Sequence, residues 1–151
     1  MNTQLNPAEI QEFQQVLKDY SPAQVAFSTL EKHNGKLDTS FDELWQEQTG
    51  IQTFDSKGKS LWEVTLKVLR QELCSDDGFR ARVKEYTKKP EDAASLTAAI
   101  IYLAGLTSLP INPAIATIIV LYIVKIGLNI FCEYTEPSTN SNLPAKEDKA
   151  E

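Results

Sequence analysis

Apolar positions recur at three- and four-residue intervals along most of the chain, the spacing of helices with one buried face. Start and stop signals cut that pattern into segments. Asn6, Pro7 and Glu9 have the spacing of a capping box and predict a first helix from about Pro7 to Asp19. Ser21-Pro22 opens a second, which Asn34-Gly35 closes after His33 because this pair tolerates a left-handed C-cap. A third runs from Thr39 or Ser40 to Gly50. Residues Ile51 to Lys59 are polar, hold no sustained period and mark the internal boundary.

Beyond it, Ser60 and Glu63 repeat the capping-box spacing, and Leu61, Trp62, Leu66, Leu69 and Leu73 form a wide apolar face up to Cys74. Ser75-Asp76-Asp77 caps a helix to about Lys88. Phe79, Val83 and Tyr86 share one of its sides, while Arg80, Lys84 and Lys88 make a basic row on another. Lys89-Pro90-Glu91-Asp92 then breaks the chain and sets two acids at the next helix start, where the macrodipole favours them.

The pattern changes at this point. From Ala93 to Cys132 about 28 of 40 residues are apolar and the only charge is Lys125. We read an apolar helical hairpin: a first arm to about Leu109, a turn at Pro110-Ile111-Asn112-Pro113, and a second arm from about Ala114 to Tyr134. The stretch IATIIVLYIV is rich in β-branched residues, but its uninterrupted length favours helix over strand. The fold class is therefore all-α: a small three-helix unit over 1–50, a four-helix segment over 60–134 ending in the 93–132 hairpin, and a polar tail, 135–151, expected to be disordered.

Composition narrows the function. A net charge of −6 over 151 residues opposes a general nucleic-acid binder, which needs a basic face to neutralise phosphates. The polar start, Met1 to Leu5, lacks the pattern of a signal peptide and predicts the cytoplasmic side. Two cysteines, Cys74 and Cys132, have no metal-ligand spacing and read as buried thiols rather than a disulfide. No nucleophile elbow, phosphate-cradling loop or metal-binding His pair occurs. The lone histidine, His33, sits at a helix end beside Glu31 and Lys32. Asp42-Glu43 and Asp76-Asp77 fall in predicted first turns, where capping and dipole effects account for them. The expectation is a non-enzymatic protein with no catalytic residue, cofactor or metal.

The run LKDYSPAQVAFSTLEKHNGKLDTSFDELW resembles a ubiquitin-associated (UBA-like) three-helix domain over roughly residues 8 to 48. The resemblance lies in an aromatic after helix one, a helix ending in Asn-Gly, then a leucine and a final apolar pair. It implies a protein-interaction module with Tyr20 at the contact loop and Leu44 on the final-helix face. The loop itself departs from the family, with Lys18-Asp19-Tyr20 in place of Met-Gly-Phe or Met-Gly-Tyr.

The hairpin admits two shelters. In lipid, a second arm of about 30 Å would span a hydrocarbon core, Ile115, Ile119, Val120 and Val124 would meet acyl chains, and Arg80, Lys84 and Lys88 would flank the cytoplasmic side. In protein, the hairpin is the buried core of a helical bundle, helped by homo-oligomerisation if its own helices fall short; Tyr122, Lys125, Asn129 and Glu133 would then lie on one exposed arc. The reading favours an adaptor that binds a protein partner through its N-terminal helices and a membrane through the hairpin, with the interaction bundle as alternative. A membrane-permeabilising effector that releases the hairpin on a signal stands third.

Overall fold

The computed structural model describes residues 4–50 and 61–134, and within them the chain is all-α with eight helices. The Ile51–Lys59 boundary, Ser60 and the 135–151 tail lie outside the described residues.

Helix α1 is Pro7–Val16, and its capping box forms as expected: Asn6 accepts from the Glu9 amide while Glu9 accepts from the Asn6 amide. α2 is Ser21–Lys32 and α3 is Leu37–Thr49. Between them Asn34 (φ 59°) and Gly35 (φ 84°) both turn left-handed. Gly35 is required twice over, because a Cβ there would also collide with the Leu5 carbonyl, whose own amide donates to the Gly35 carbonyl at 2.8 Å. This close approach seats Leu5, 1% exposed, at the edge of the core.

α4 is Leu61–Leu73 and α5 is Asp77–Lys88, the latter capped by Asp76 through the Phe79 amide. α6, Ala93–Leu106, is capped by Asp92 and ends three residues short of the predicted arm. α7, Pro113–Ile126, starts on Asn112, whose side chain accepts from the Ile115 amide.

The second arm is not one helix. It stops at Gly127, whose φ of 92° with ψ of 139° is a conformation that residues with a Cβ rarely adopt, and resumes as α8, Leu128–Tyr134. This corrects the expected span of about 30 Å: the 14 residues of α7 rise about 21 Å. Among the described residues no helix is long and apolar enough to cross a membrane.

α7 lies at the centre. It packs against α2, α3, α6 and α8, and all ten residues from Ala114 to Ile123 are buried. Shelter of this kind contributes roughly 1.5–3 kcal/mol for each large aliphatic side chain, and Ile115, Ile118, Ile119, Val120, Leu121 and Ile123 are all at 0% exposure. The segments on either side of residues 51–60 share one contiguous core, in which Phe27, Leu30, Phe41 and Leu44 of the N-terminal helices join Leu96, Ile100 and Leu103 of α6. Thr117, fully buried in α7, satisfies its hydroxyl by donating to the Pro113 carbonyl.

A chain of aromatic contacts threads this core. Phe41 of α3 meets Trp62 of α4 edge-on, Trp62 meets Tyr122 of α7, and Tyr122 meets Phe131 of α8. The cysteines also differ from expectation. Cys74 and Cys132, 58 residues apart, form a disulfide that ties the end of α4 to α8. Their pairing depends on α8 folding back beside α4, a tertiary event that no local spacing announces.

Candidate functional site

The acidic groups settle first into structural roles. Glu43 accepts from His33 Nε2 at 2.8 Å and pairs with Lys32 at 3.0 Å, and these two contacts hold its carboxyl below the usual range. His33 is thereby spent on joining the end of α2 to α3. Glu72 on α4 caps the exit from α6, accepting from the Thr107 hydroxyl at 2.6 Å and from the Ser108 amide and hydroxyl. Burial pushes that carboxyl up, but the hydrogen bonds outweigh it and leave it lowered.

Asp76 accepts from the Phe79 amide and from the Tyr102 hydroxyl at 2.9 Å, both of which favour its ionised form. Arg82 stacks over the Tyr102 ring at 4.3 Å and so joins α5 to α6.

Asp42 is different. Because α3 begins at Leu37 rather than at Thr39 or Ser40, Asp42 lies in the second turn, and the first-turn explanation for it fails. Asp38 occupies that first turn and accepts from the Thr39 amide. Asp42 keeps one buried carboxylate oxygen without a partner, and desolvation, followed by the Asp38 charge one turn away, raises its pKa to about 6. One carboxyl is not an active site. Among the described residues no three His, Cys, Asp or Glu side chains are grouped to hold a metal ion. An open groove of about 590 Å³ lies between α1 and the α2–α3 turn. It is lined by Gln4, Pro7, Ile10, Gln14 and Glu31, with Gln14 already donating to Glu31, so it presents amides and no reactive constellation.

The expected contact residues separate. Tyr20, at the N-cap of α2, is half-buried and offers part of its ring at the surface. Leu44 is 4% exposed and belongs to the core, so the two do not form a shared surface. Of the lipid-facing set, Ile115, Ile119 and Val120 are at 0% exposure inside the bundle and Val124 is half-buried against it. The basic row also divides. Lys84 and Lys88 are exposed, whereas Arg80 turns to the disulfide, donating to the Cys74 carbonyl at 3.2 Å and lying 3.9 Å from Cys132 Sγ. The exposed arc expected on the second arm is absent at Tyr122, which is buried, while Lys125 is engaged by Glu9.

Exposed large apolar side chains are dispersed over four helices: Val25 on α2, Val64 on α4, Ile101 on α6 and Ile130 on α8. Along α6, Ala94, Ala98, Ile101 and Gly105 follow one outward stripe with no charge among them.

Comparison with protein-family models, with curated proteins and with solved structures gave no match to this chain. The functional reading therefore rests on its own residues.

Proposed function

We propose that this protein is a non-enzymatic helical-bundle interaction module whose apolar hairpin serves as its own core. The observation that carries this reading is the enclosure of α7: ten consecutive residues lie buried among α2, α3, α6 and α8. A helix so placed gives a lipid bilayer nothing to hold unless the bundle opens. The lack of converging titratable groups in the surface groove supports recognition rather than chemistry. Partner contact falls on the outer faces of α1–α3, where Tyr20 is half-buried and Val25 is 51% exposed.

The test is fractionation of the expressed full chain. After high-speed centrifugation and an alkaline carbonate wash, the protein should stay in the supernatant, and light scattering without detergent should find one sharp species whose mass gives its oligomeric state. Retention in the washed pellet overturns the reading.

A second reading keeps the membrane as partner, on one specific observation. The outward stripe of α6 is uncharged and lies on the helix that packs against α5, which carries the exposed Lys84 and Lys88. In that case the protein lies on an anionic surface through α5 and α6, and Ile115, Ile119 and Val120 stay inside. Flotation with acidic vesicles, lost on Lys84→Glu with Lys88→Glu, tests it.

A further inference from the structure

α8 is short, seven residues: among its described side chains Phe131 is fully buried, set against Tyr122, Leu128 and Cys132 pack partly buried against the core, and α7 is the main helix it touches. Its neighbours Asn129 and Ile130 are exposed. The connection to α7 is Gly127, around which an added Cβ would meet nothing within 4 Å. Seven residues in isolation do not sustain a helix in water. The covalent tie to Cys74 therefore carries much of the work of keeping α8 in place, and both sulfur-bearing residues are partly exposed rather than sealed.

Arg80 makes the two sulfurs unequal. Its guanidinium sits 3.9 Å from Cys132 Sγ while its own position is fixed by the Cys74 carbonyl. A thiolate next to a guanidinium is stabilised, and thiol–disulfide exchange runs fastest when the sulfur that departs is the better-stabilised thiolate.

We propose that Cys74–Cys132 is a thiol-exchange site that latches α8, with a cellular thiol or dithiol as its reductant. The incoming thiolate attacks Cys74 Sγ, forms a mixed disulfide there, and expels Cys132 as a thiolate beside Arg80. A second thiol of the reductant then attacks its own sulfur in that mixed disulfide, releasing Cys74, which takes up a proton. In sum the protein's disulfide gains two electrons and, once Cys132 is also protonated, two protons, while the dithiol becomes a disulfide. With the tie cut, α8 swings about Gly127, Phe131 leaves its seat, and the C-terminal end of α7 is uncovered.

The proposal goes beyond the bundle reading, and its readouts do not depend on where the protein fractionates. Full-length oxidised protein is mixed with glutathione, quenched in acid, alkylated and mapped by mass spectrometry. The expected result is glutathione on Cys74 and the alkyl group on Cys132; the reverse assignment, or two free thiols before any reductant is added, overturns the site. Reduction should slow about tenfold in Arg80→Gln and keep its rate in Arg80→Lys; equal rates in all three proteins overturn the role of Arg80. Hydrogen exchange on the wild type then reads the latch. On reduction, amides of 128–134 should exchange at least tenfold faster while those of 113–123 keep their protection, and unchanged exchange in 128–134 overturns the release.

Discussion

Lys125 and Glu9, 116 residues apart in the chain, form a two-pronged ion pair in which Nζ lies 2.9 and 2.8 Å from the two carboxylate oxygens. The only charge of the hairpin is thus neutralised by the first turn of α1, and the same carboxylate closes the α1 capping box. Lys125 retains 15% side-chain exposure and Glu9 30%, so the pair is partly screened by water.

The two partners should respond unequally to removal. Glu9→Gln leaves Lys125 nearly enclosed without a counter-charge and weakens the cap, for a loss of about 1–2 kcal/mol in chemical denaturation. Lys125→Met removes the charge and keeps an apolar stem, so its cost should be smaller, and Glu9→Gln should cost less in the Lys125→Met background than alone. Equal, additive losses would show that the pair is not coupled.

Acid should act through the same contact. Burial alone would push Glu9 up, but the hydrogen bonds from Lys125 and Asn6 outweigh it, so its pKa lies below its ordinary 4.5. A carboxylate with a depressed pKa adds stability that is present above its unfolded value and lost as pH falls through the folded one. Thermal melts of the wild type should therefore drop more steeply below pH 4.5 than those of Glu9→Gln.

Asp42 works in the opposite direction. With a folded pKa of about 6 against 3.8 for the free side chain, the folded protein binds the extra proton between these values, so Asp42 lowers stability as pH rises through that window. Asp42→Asn should raise stability at pH 7.5 by about 1 kcal/mol, the full shift being discounted because the group is partly exposed. The gain should vanish near pH 4; a gain that persists there would count against desolvation as its source.

The centre of the bundle can be probed directly. Ile119→Ala should cost about 2–5 kcal/mol through lost burial and a residual cavity, and Val120→Arg should prevent folding, read as loss of helical circular dichroism. A folded Val120→Arg protein would mean that α7 is not enclosed. At the α2–α3 turn, Gly35→Ala should destabilise by more than about 1 kcal/mol, since it meets both an unfavourable φ and the Leu5 carbonyl.

What the sequence made legible was local. Asn6 with Glu9, Asn34-Gly35, Asp76 and Asn112 each bond to groups within a few residues, and each ends or starts a helix where the spacing indicated. The helical class follows from the same short-range terms. What escaped was set by distance along the chain. Cys74 meets Cys132, Lys125 meets Glu9, and Leu44 faces inward only because α7 lies across α2 and α3. Gly127 was visible as a residue, but a single glycine in an apolar run is tolerated in many helices, and only the observed φ marks it as a break. The uneven hydrophobicity of the hairpin signals a need for shelter; periodicity carries no information on what supplies it.

Placing the most apolar helix near the end of the described chain has a consequence for how the molecule is made. Helices α1 to α4 are synthesised before α7, so Phe27, Phe41 and Trp62 have no α7 to pack on during that interval. Vectorial assembly of the N-terminal helices is thereby excluded from reaching the final packing. Completion of the core therefore waits on residues 113–126, and until they arrive the inward faces of α2 and α3 lack their central partner.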